Sequence, residues 1–87
     1  MHKLDNTPFA IVIVRTGGQQ SEPVGMYRGR SHVKSKAVTF ESLDGKLDIE
    51  LPDSWLRTIR SVPAGIAEDL GHAEYFITVN SDDWVSG

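Results

Sequence analysis

The apolar positions of this chain fall into stretches with different periods. Residues 9–14, Phe9-Ala10-Ile11-Val12-Ile13-Val14, run without alternation. A β-branched run of this length reads as a strand, and the missing alternation implies that both its faces are covered. The cover is either a helix of the same chain or a second subunit. Residues 16–23 read as a loop, marked by Gly17-Gly18 and closed by Pro23. A second strand starts at Val24 and runs through Tyr27, and Gly29 marks a bend or bulge in it.

Residues 37–52 carry the clearest pattern. Asp44-Gly45 is the residue pair of a two-residue type I′ turn, whose central positions both need positive φ. With that pair at the tip, Ser42 faces Leu47, Phe40 faces Ile49 and Val38 faces Leu51. One face then carries Val38, Phe40, Leu47, Ile49 and Leu51. The other carries Thr39, Glu41, Lys46, Asp48 and Glu50. A slip of one residue would turn every apolar side chain outward, so turn and alternation specify one register.

Pro52-Asp53-Ser54 stops the hairpin and offers Asp or Ser as a helix N-cap. Trp55, Leu56, Ile59 and Val62 share one helical face, and Pro63 ends the helix. Residues 64–70 form one more turn, capped by Gly71. Residues 73–79 are a last strand, with Tyr75, Ile77 and Val79 on one face. Residues 80–87 form an acidic tail in which Trp84 and Val85 pack back on the domain. The order β–β–β–β–α–β predicts a mainly β fold bordering on α+β. It fits a small curled antiparallel five-stranded sheet with a short helix before the last strand, and an SH3-like barrel is the specific form expected. The run 9–14 argues instead for an open sheet covered by the Trp55 helix.

Eighty-seven residues predict one small domain over 1–87. Apolar content of 39% and charged content of 24% are ordinary for a globular chain. Without cysteine there is neither a disulfide framework nor a thiolate metal site, and a cytoplasmic location is expected. The longest apolar run is too short to span a bilayer, and residues 1–5 carry no signal-like apolar segment. Net charge is −3, divided into +4 over residues 1–40 and −7 over residues 41–87. The two halves either present faces of opposite sign or neutralise one another.

That asymmetry draws attention to Arg28, Arg30, His32, Lys34 and Lys36, all at even positions. On one strand they would share a face at a pitch of about 6.6 Å. A row of cations suits a polyanion, and Tyr27 and Phe40 lie close enough in sequence to stack on exposed bases. The competing reading is structural. Basic residues on a strand discourage edge aggregation, and Glu41, Asp48 and Glu50 could pair with the row. The phase also changes, because even positions Val38 and Phe40 are apolar. A bulge or turn must therefore lie near residues 35–37.

No catalytic or metal signature stands beside this row. His2, His32 and His72 are scattered. Asp82-Asp83 lacks the spacing of a calcium loop. No serine sits in a nucleophile elbow, and Thr16-Gly17-Gly18 lacks the later residues of a nucleotide loop. No catalytic residue, cofactor or metal is expected. The leading expectation is a non-enzymatic binding module acting through a protein–protein surface. Arg28, Arg30, His32, Lys34, Lys36 and Tyr27 are its candidate partner or polyanion contacts. A nucleic-acid-binding domain is one alternative. Another is a self-associating assembly subunit, of the kind phage and mobile elements often encode, with Phe9, Ile11, Val12, Ile13 and Val14 as a homodimer interface. A small enzyme with a site shared between subunits would need His32 or His72 beside a carboxylate. No membrane partner is expected.

Overall fold

The computed structural model describes residues 3–17 and 20–84. Its body is one sheet of six strands: β1 (Thr7–Gly17), β2 (Gln20–Lys34), β3 (Ala37–Ser42), β4 (Asp48–Glu50), β5 (Arg60–Ser61) and β6 (Tyr75–Asn80). The spatial order is β4-β3-β2-β1-β6-β5. The mainly β expectation holds, with two differences. A sixth short strand is present, and β6 runs parallel to β1, from Phe9↔Tyr75 to Val14↔Asn80. The cause is topological. The chain leaves the sheet at β4 and returns on the far side of β1, a connection long enough for a parallel approach. β4 and β5 end the order as free edges, so the strands form an open sheet rather than a closed barrel.

Both faces of β1 are covered within the chain. Phe9, Ile11 and Ile13 are buried in a cluster with Leu4, Val38, Phe40, Leu51, Ile77 and Val79. Phe9 and Phe40 meet edge to face, with ring centroids 6.1 Å apart. Trp55 and Leu56 pack on this side. On the other face Ala10 is buried against Leu70 and Ala73, flanked by Val12, Val62 and Phe76. The unbroken apolar run therefore answers to two covers, the Trp55 turn on one side and the segment 62–73 on the other.

The β3–β4 hairpin has the register expected from its alternation: Thr39↔Glu50, Phe40↔Ile49 and Glu41↔Asp48. Its turn is of a different type. Only Gly45 takes a positive φ, at 74°, and its N–H donates to the Ser42 carbonyl at 3.0 Å. Asp44 keeps ordinary backbone geometry because its carboxylate is used locally. Oδ1 accepts from the Ser42 hydroxyl at 2.6 Å and from the Lys46 amide at 3.0 Å. These bonds stabilise the charged form, the Ser42 hydroxyl most, and hold the Asp44 carboxyl below its ordinary 3.8. A depressed folded pKa gives stability that is present above the unfolded value and lost as pH falls through the folded one. Asp44→Asn is therefore expected to lower the denaturation midpoint at pH 7. The difference from wild type should narrow as pH falls into the acid range where Asp44 protonates, which urea titrations at pH 7 and in acid would check.

Three other elements depart from expectation. The loop expected over 16–23 is largely strand, because β1 and β2 continue as a two-stranded ribbon from Val14↔Pro23 to Gly17↔Gln20. Its pairing resumes beyond a bulge between Ile13 and Val14 and includes the Arg15–Glu22 ion pair at 3.3 Å. Gly18 and Gln19 lie outside the described residues. The helix expected over 53–62 is a single turn, α1 (Asp53–Leu56), with Pro52 rather than Asp53 or Ser54 as its N-cap. The Thr58 hydroxyl closes it by donating to the Trp55 carbonyl at 2.9 Å, and Arg60 and Ser61 pair with β6 instead. A short 3₁₀ turn at Ala64–Ile66 follows. Gly71 does act as a cap. Its φ is 66°, its N–H donates to Glu68, and the His72 N–H reaches back to Ala67, the bond pattern of a Schellman ending.

Trp84 packs back as expected, and it does so in a stack. Its ring lies 5.4 Å from Tyr27 and 5.8 Å from Trp55, near parallel to both. Val85 lies outside the described residues. Trp84→Ala is expected to destabilise the fold by about 2 kcal/mol, since a half-buried ring and two aromatic contacts are lost together. Chemical denaturation would measure it.

Candidate functional site

Side chains alternate along a strand, so Arg28, Arg30, His32 and Lys34 share one face of β2. Tyr27 and the buried Ser31 point to the opposite, core-facing side. The phase change near residue 35 is a tight turn. Ser35 takes φ 57°, Lys36 lies in the turn beside it, and β3 begins at Ala37 opposite Lys34. The row is thus four residues on a strand and one at its turn. Lys34 and Lys36 are exposed.

The pairing brings acids onto the same face. Arg30 stands opposite Glu41, and Glu41 opposite Asp48. His32 stands opposite Thr39, and Thr39 opposite Glu50. A basic row on β2 therefore runs beside an acidic group on β3 and β4. They do not pair. Among the described residues the one ion pair is Arg15–Glu22, on the ribbon. Arg30 Nη1 donates to the Asn6 carbonyl at 3.0 Å and sits 3.5 Å from Asn6 Oδ1. Arg28 Nη2 donates to the Asp69 carbonyl at 3.1 Å. Neutral carbonyls hold the two guanidinium groups in place and leave their charges uncompensated.

The aromatic residues near the row are used elsewhere. Tyr27 is stacked on Trp84, and Phe40 is fully buried. Neither is available to a base. Of the residues expected at an oligomer interface, Phe9, Ile11 and Ile13 are buried in the chain's own core. Val12 and Val14 are half-buried, next to exposed Met26 and Val24 at the base of the ribbon. His32 is half-buried on the row, His72 is exposed in the Schellman turn, and His2 lies outside the described residues. Among the described residues no three His, Asp or Glu side chains converge as metal ligands, and no helix is long and apolar enough to cross a membrane.

Two features of the site left little mark on the sequence. Asn6 and Asp69 act through backbone carbonyls, which carry no side-chain signature. Gly29 is buried where β3 lies close over β2, and a bend there was the only sign of it. Comparison with protein-family models, with curated proteins and with solved structures finds no match for this chain.

Proposed function

We propose that this chain is a non-enzymatic binding module that engages a protein partner through the outward face of β2, β3 and β4. The observation that supports it is the basic row lying beside Glu41, Asp48 and Glu50 on one face with no ion pair between them. A face with both signs exposed suits a partner carrying the reverse pattern, which would set its orientation and speed its approach. Phosphate chains suit it less well, because the acids repel them and the nearby aromatic rings are occupied. The absence of cysteine fits a cytoplasmic setting.

A photoreactive residue at Thr39, between His32 and Glu50, is expected to cross-link one discrete protein from a lysate of the source cell. The same group at exposed Arg57 should not. A labelled oligonucleotide is expected to show no saturable anisotropy change at low salt. Saturable, salt-steep binding that disappears on replacing Arg28, Arg30, Lys34 and Lys36 with Ala would move the reading to nucleic acid.

A second reading, self-association, rests on half-buried Val12 beside its exposed register partner Met26, with exposed Val24 at the bulge. It predicts a dimer in sedimentation that Val12→Glu disrupts, and a monomer at high concentration would contradict it.

A further inference from the structure

At one end of the basic face, a cleft of about 270 Å³ opens between β2 and the Schellman turn. Pro8 and Gly29 line it, with Arg28, Arg30 and His72 around it and Leu43 and Leu70 as apolar walls. No acidic residue lines it. Glu41 stands opposite Arg30 in register but makes no ion pair with it. Two arginines and a histidine thus line the cleft, with no acidic residue among its lining residues.

Both arginines are held in position. The Arg28 side chain lies against Gly71, so closely that a Cβ there would come within 2.5 Å of Arg28 Cδ. Its guanidinium is anchored on the Asp69 carbonyl, and Arg30 is anchored on Asn6. The anchors are one hydrogen bond for Arg28 and two, both from Nη1, for Arg30, fewer than the five N–H donors each guanidinium carries. Two arginines that line one cleft favour an anion there, and guanidinium groups match oxyanions with paired N–H bonds. Pre-positioned donors also lose little freedom on binding.

We infer that this cleft binds a phosphate monoester. Two guanidinium groups and an imidazole supply more donors than the two oxygens of a carboxylate can use. A tetrahedral dianion presents three free oxygens to them. The cleft is also larger than the oxyanion alone, so the carbon bearing the phosphate can rest on Leu43 and Leu70. The inference builds on the partner-binding reading in one respect, the source of the phosphate, which is a phosphorylated side chain of the partner protein.

Amide NMR titrations with inorganic phosphate and with free phosphoserine test it. Saturating shifts are expected at Gly29, Gly71 and His72, with phosphoserine binding more tightly because its carbon stem adds contacts. Arg30→Ala should weaken binding about tenfold or more, as loss of charged hydrogen bonds implies. Arg57→Ala, at an exposed position outside both the cleft and the basic row, should leave it unchanged. Shifts that grow linearly without saturation, or spread equally to Lys34 and Lys36, would overturn the site. So would affinity that survives Arg30→Ala. If phosphate fails to saturate while the Thr39 cross-link persists, the cleft is refuted and the partner face stands. The reverse pattern refutes the face and keeps the cleft.

Discussion

Gly29→Ala is expected to destabilise the protein by about 3 kcal/mol or more, at or beyond the upper end of ordinary overpacking. A Cβ at this position would fall on the Glu41 carbonyl oxygen and come within 2.8 Å of the Ser42 Cα. Both obstacles are main chain, so no rotamer change can relieve them. β2 and β3 would have to move apart where Gly29 pairs with Ser42. A small domain has total stability of only about 5–15 kcal/mol, so the variant stands near the limit of folding. Gly65→Ala is the matched control, because nothing lies within 4 Å of a Cβ there. Urea denaturation should show a large drop for the first and little change for the second. A wild-type midpoint for Gly29→Ala would show that the strands are not in close contact at this position.

Phe40→Ala is expected to cost about 3–5 kcal/mol. Phe40 is fully buried and meets Phe9 edge to face, at the point where the hairpin packs on the central strand. Its removal opens a cavity between two strands that hydrogen bonds already fix in place, so collapse around it is limited. Phe76, only half-buried against the smaller cluster, should cost less when truncated. The check is a fall in the denaturation midpoint with an unchanged slope, which separates lost stability from a changed unfolded state.

The hairpin was the most legible part of the fold. Alternation from Val38 to Leu51 and the Asp44-Gly45 tip both specify the register that pairs Phe40 with Ile49. The turn type was not legible, since it depends on whether the Asp44 carboxylate bonds within the loop. The parallel pairing of β1 with β6 was hidden for another reason. Strand signals are local, while that contact joins residues far apart in the chain. The periodic positions Trp55, Leu56, Ile59 and Val62 suggested a longer helix, but the free edge of β6 takes Arg60 and Ser61 into the sheet.

The candidate site divides in the same way. A period of two placed Arg28, Arg30, His32 and Lys34 on one face, and the hairpin placed Glu41, Asp48 and Glu50 together. Whether the two groups neutralise each other depends on where long side chains go. Arg30 turns to the Asn6 carbonyl and Arg28 to Asp69, and no residue type announces either choice. Tyr27 looked available for stacking, and Trp84 occupies it.

The most direct test of the proposed function is the yield of the Thr39 cross-link when the row is reversed. Lys34→Glu with Lys36→Glu changes exposed residues whose side chains make no hydrogen bond or ion pair among the described residues, so the fold should be undisturbed. The cross-linked partner is expected to be lost from this variant and retained when exposed Arg57→Glu is made instead. An undiminished cross-link in the reversed variant would contradict the proposed function.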